Sequence, residues 1–150
     1  MRTGNKNLQT LILEGLHQIN EGDKYLGIED INTSRVKNFF CHVLLVDDFY
    51  RFMREWNNAS ESYHKKNLPN LEFKPLKFSI GKSYIKVVRD GSVACFIDKY
   101  GNVYKAASWQ APAPGVRFYL DNADDIKFDT YGSFLYGNSN LKPRTEEDYI

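Results

Sequence analysis

Apolar residues recur at helical spacing early in this chain and at alternate positions later, and the change of period divides the sequence in two. Leu8, Leu11, Ile12, Leu16 and Ile19 form one helical stripe, and Gly22-Asp23 supplies a stop, so a first helix is expected from Asn5 to Asn20. A second start signal stands at Asn32-Thr33-Ser34. After it Val36, Phe39, Phe40, Val43, Leu44, Tyr50, Met53 and Trp56 follow a period near 3.6, which predicts a longer helix ending near Asn57. Its middle, FFCHVLLV, is apolar nearly all round, so the first helix, the sheet or a partner subunit must cover several faces. The polar stretch NNASESYHKKNLP then reads as a connector.

Beyond Leu71 the period becomes two. Tyr84 to Val88 reads as a strand, Asp90-Gly91 as a hairpin turn and Val93 to Ile97 as the returning strand. A second turn at Tyr100-Gly101-Asn102 leads into Val103 to Ala106. The prolines of Ala111-Pro112-Ala113-Pro114-Gly115 must break the ladder, and Val116 to Leu120 offers one more strand. Little regular structure is expected after Asn138, where the chain closes on a mobile acidic end, TEEDYI. The order of elements predicts an α+β fold with two N-terminal helices packed on a C-terminal antiparallel β-meander. A single domain spanning residues 1–150 is expected, with a helical region (residues 1–57), a connector (58–72), a β-rich region (73–138) and an acidic tail (139–150).

Composition narrows the class. With 15% aromatic residues and a formal net charge of +1, neither disorder nor a global attraction to polyanions is indicated. Both cysteines, Cys41 and Cys95, sit inside apolar runs and read as small buried hydrophobes. No basic-then-apolar leader is recognised and no apolar run approaches a membrane span, so a cytosolic protein without a membrane partner is expected. The near-neutral total hides a local basic run, Lys74, Lys77, Lys82, Lys86, Arg89, Lys99, Lys105 and Arg117, followed by an acidic segment from Asp121 onward.

Strand alternation would place Tyr84 and Lys86 on one face and bring Phe96, Tyr104 or Lys105, and Trp109 toward it. Cations beside aromatic rings suit single-stranded DNA or RNA, since lysine neutralises phosphate while any base can stack on a ring. Lys82, Tyr84, Lys86, Tyr104, Lys105, Trp109 and Arg117 are the candidate contacts. Against this stands a bland alternative in which the rings fill the layer between helix and sheet and the lysines are a solvated face. In Lys105-Ala-Ala-Ser-Trp109, small residues permit close backbone approach, and Trp109 is either a core plug, the favoured reading, or an exposed platform before a stiff Pro-Ala-Pro loop.

Enzymatic patterns are poorer. His17, His42 and His64 are scattered, with no partner at metal-ligand spacing, and Cys41 and His42 point about 100° apart on a helix. The pairs Asp47-Asp48 and Asp124-Asp125 lack further oxygen ligands at motif spacing. No catalytic residue, metal or cofactor is therefore assigned; a small hydrolase or nuclease would require Asp47, Asp48 or Cys41 to converge with one of the histidines.

The segment SYIKVVRDGSVACFIDKYGNVYKAASWQAPAP resembles small uncharacterised bacteriophage proteins that share YIKIV, a turn, SV-x-x-FID, a glycine turn and V-x-KAASW-x-APA. The resemblance implies a viral origin, a shared β-module and a place in the host cytoplasm or the virion, and brings no activity with it. Where such proteins continue into a basic segment, this chain has Pro114-Gly115-Val116-Arg117. The leading expectation is a non-catalytic phage accessory protein that binds single-stranded nucleic acid or a nucleoprotein. The alternative is a protein-interaction or virion-associated module that binds a host or phage protein or forms a homodimer.

Overall fold

The computed structural model describes residues 30–137 and 141–149; the expected first helix, Asn5 to Asn20, lies outside them. Helix α1 (Asp30–Phe39) and helix α2 (Leu44–Asn67) precede strands β1 (Lys77–Ile80), β2 (Tyr84–Arg89), β3 (Ser92–Asp98), β4 (Asn102–Lys105) and β5 (Phe118–Tyr119). The strands form one antiparallel sheet in sequence order. Helical segments followed by an antiparallel sheet make this an α+β fold.

The helix expected from Asn32 to Asn57 is two helices, broken at the most apolar stretch of its run. Cys41 N–H leaves the helical ladder and donates to the Lys99 carbonyl in the turn after β3 (2.9 Å). His42 then accepts the Leu44 N–H on Nδ1 (3.1 Å) and the Leu45 N–H on its carbonyl (3.1 Å), capping the start of α2. The bend solves the packing of an all-round apolar segment: Phe40 turns onto Phe49 (5.7 Å between ring centroids) while Leu45 and Val46 enter the core.

Helix α2 also runs ten residues past its expected end at Asn57. Asn57 is buried rather than a breaker, because its Oδ1 accepts the Leu76 N–H at 2.7 Å and so satisfies the chain entering β1. The polar connector is thus mostly helix, closed by the Leu68 N–H on the His64 carbonyl and by Pro69.

Alternation then separates the two faces of the sheet. Ile85, Val87, Cys95, Ile97, Val103 and Phe118 are buried in a core with Phe49, Phe52, Met53 and Trp56 of α2. Phe52 lies 5.6 to 6.2 Å from the rings of Trp56, Phe118, Phe128 and Phe134, in tilted and edge arrangements. Strand β1, hidden in the sequence inside LEFKPLKFSI, pairs Phe78 with Val87 and sets its ring 4.9 Å from Phe49. The expected strand from Val116 to Leu120 is the short β5, with Val116 bridged to Leu141.

Among the described residues after Asn138 the regular structure is one 3-10 turn, Glu146–Tyr149, but the tail is docked rather than loose. Asn102, fully buried, donates through Nδ2 to the Arg144 carbonyl (3.0 Å) and accepts the Arg144 N–H (2.8 Å). The Tyr149 hydroxyl donates to the Tyr100 carbonyl (2.6 Å).

Candidate nucleic-acid interface

The sheet face turned away from α2 carries Tyr84, Lys86, Phe96 and Tyr104, and the register explains why: Lys86 stands opposite Phe96, and Phe96 opposite Tyr104. The Tyr84 ring meets Phe96 at 5.8 Å and Tyr104 at 5.9 Å, edge to face. Phe96 is buried beneath this group even though it faces away from the helices. The Tyr104 hydroxyl donates to Asp98 Oδ2 (2.9 Å). Burial, and then the Asp98 charge, push the Tyr104 phenol above its ordinary range.

Trp109 completes the face from a loop. Ala106 bridges Pro112, Ala113 N–H donates to the Lys105 carbonyl (2.7 Å), and Ala107 and Ser108 both donate to the Ala111 carbonyl. Ser108 Oγ accepts the N–H groups of Gln110 and Ala111, which closes the tip. The small residues and prolines of AASWQAPAP thereby build a tight loop that turns Trp109 back across the sheet. Its ring lies 4.5 Å from the Lys86 ammonium, which is also 5.9 Å from Phe96. Trp109 is 51% exposed, so the core plug favoured from the sequence is corrected to an exposed platform. The loop's own hydrogen bonds turn the ring onto Lys86, on the sheet face opposite the core, and the buried tryptophan is Trp56.

The remaining candidates divide. Lys82 is exposed in the turn between β1 and β2, close in sequence to Tyr84. Lys105 does not join the Lys86 group: it lies opposite Cys95, and its ammonium sits 4.8 Å from the Tyr136 ring. Arg117 is half-buried beside β5, lining a cleft of ≈ 700 Å³ with Phe118, Asn122, Lys127 and Phe134. Lys77 and Ser79, absent from the candidates drawn from sequence, are exposed on the outer face, with Ser79 opposite Lys86. The alternation of KFSI against YIKVV would have shown this once β1 was recognised.

Of the catalytic candidates, Asp48 and His42 line one recess of ≈ 250 Å³, together with Asp121, Asp148 and Tyr149. Among the described residues no three of His, Cys, Asp and Glu stand together as a metal site. One aspartate of each acidic pair, Asp48 and Asp124, meets Arg51 at 3.0 Å, so these carboxylates share a guanidinium. Burial, with Glu146 nearby, pushes the Cys41 thiol up, and burial does the same for Cys95, which opposes formation of a nucleophilic thiolate. His17 lies outside the described residues.

A family model described as a family of unknown function (DUF7717) matches residues 29–136. The chain belongs to that family, and the match spans both helices, the whole sheet and the Trp109 loop. No curated protein and no solved structure matches the chain.

Proposed function

We propose that this protein is a non-catalytic accessory protein of a bacteriophage that binds single-stranded DNA or RNA, free or within a nucleoprotein, in the host cytoplasm. The observation that carries the reading is the exposed Trp109 ring held over Lys86 by its Ser108-capped loop. A base stacks on the free side of that ring, while Lys86, Lys82 and Lys77 supply positive charge for the phosphates on either side. The loop is already closed by its own hydrogen bonds, so little conformational freedom is lost on docking. The likeness of SYIKVV to APAP with phage proteins supports the viral source.

Fluorescence anisotropy of labelled single-stranded DNA and RNA, titrated at low and moderate salt, tests the proposal. Affinity is expected to fall with salt, with a slope of about −0.7 per phosphate neutralised, and to weaken in Lys86→Ala and Trp109→Ala. Intrinsic fluorescence gives a second readout, because Trp56 is buried and Trp109 is the exposed member of the two tryptophans. Quenching by the strand should vanish in Trp109→Ala. Absence of binding at micromolar protein would reject the reading.

A second reading, a protein-interaction or virion-associated module, is favoured by the exposed Leu68 and Leu71 that follow α2. Its affinity would depend on apolar burial and respond weakly to salt.

A further inference from the structure

A second cation stands over an exposed ring, at the end of β4. The Lys105 ammonium is 4.8 Å from the centroid of Tyr136, which is 63% exposed. Tyr131, 72% exposed, lies with Tyr136 along a recess of ≈ 240 Å³ that also contains Arg89 and Ser92. The Tyr131 ring is held in place by the 2.9 Å hydroxyl contact with Tyr63. This aromatic and basic surface is separate from the outer face, yet both share one root. Lys105 ends β4 and begins the loop that carries Trp109, four peptide steps later. Chain length alone therefore keeps the two Cα atoms within about 14 Å.

We infer that Lys105 and Tyr136, with Tyr131 beside them, form a second stacking station for the same single strand that docks on Trp109. The inference rests on the nucleic-acid reading of the outer face. Each station has the same components: a ring open to solvent on one side and a lysine that meets the ring and the phosphate beside a stacked base. Arg89 adds charge next to the second station, where Thr130 and Ser60 hold its guanidinium by hydrogen bonds at 3.1 and 2.8 Å. The strand would pass from the outer face round the end of β4. The site then selects by length and by freedom from pairing, since a duplex offers no unstacked base to either ring.

The test is a length series of labelled homopyrimidine strands, from roughly four to roughly sixteen nucleotides, titrated against wild type, Tyr136→Ala, Lys105→Gln and Trp109→Ala, with folding checked by circular dichroism. Tyr136→Ala is expected to weaken the longest strand roughly fivefold or more and to flatten the gain in affinity with length. Lys105→Gln should reduce the salt slope for that strand. If Tyr136→Ala and Lys105→Gln bind the longest strand as wild type does while Trp109→Ala weakens it, the second station is overturned and the Trp109 site stands. If wild type binds no strand of any length, both fall.

Discussion

The two faces of the sheet are built from the same strands, and both are rich in rings, but the rings are held in different ways. Toward α2, Phe52, Trp56, Phe118 and Phe134 pack on one another, Phe49 packs on Phe78, and all belong to one core with aliphatic strand residues. On the far side Tyr104 has Asp98 for a companion and Trp109 has Lys86, while Tyr84 lies between Phe96 and Tyr104. The inner face commits its aromatic surface to the fold. The outer face leaves a share of it in water, and only such surface can serve a ligand.

The harshest test of this contrast removes a ring from the inner face. Phe52 is fully buried among four aromatic neighbours, and Phe52→Ala is expected to cost about 3–5 kcal/mol, read as a lower urea midpoint. A smaller loss is expected for Asn57→Ala, which strips the Leu76 N–H of its buried acceptor. Its cost should be about 1–3 kcal/mol, the inner layer being sensitive to one hydrogen bond as well as to volume.

Much of this division was legible in the sequence. The turns at Asp90-Gly91 and Tyr100-Gly101-Asn102 and the alternation through YIKVV and SVACFI marked the two observed hairpins, because such turns and half-buried strands leave local signals, but not their register, which shifts between Val87 and Val88. The break at Cys41 left no such signal. It is made by the Lys99 carbonyl, 58 residues away in sequence, and no window over FFCHVLLV contains that partner. Asn57 misled for a related reason: an asparagine reads as a helix end until Leu76 is seen to need its amide. At the candidate site, Tyr84, Lys86 and Trp109 could be grouped by parity and proximity. Lys105 could not be excluded, since its side chain differs from that of Tyr104 only by one step of the pleat.

Titration sharpens the comparison from the outer side. Burial first, then Asp98, raise the Tyr104 pKa, so this phenol is harder to ionise in the folded protein than in the unfolded chain. Its contribution to stability is fully present below the unfolded value of about 10 and is lost as pH rises through the higher folded value. In Tyr104→Phe, ultraviolet titration of the native protein should show one fewer late-ionising phenol. Alkaline unfolding should depend less steeply on pH above about 10. An unchanged phenolate titration would mean that Tyr104 ionises with the exposed tyrosines, against its placement between Tyr84 and Asp98.

The smallest expected effect on the fold is the most telling. Trp109 meets Lys86 through a cation–aromatic contact at a half-exposed ring, an interaction worth about 0.5–1 kcal/mol. The loop that bears it is closed by the backbone and by Ser108, neither of which needs the indole. Trp109→Ala should therefore lower stability by no more than about 1 kcal/mol, while removing the exposed component of tryptophan fluorescence and weakening the binding of single strands. A variant that unfolds as readily as Phe52→Ala would place Trp109 with the structural rings of the inner face, and the outer rings would then be a second core. Retained stability with weakened binding would separate the faces by function, because the same strands would carry the fold on one side and the Trp109 site on the other.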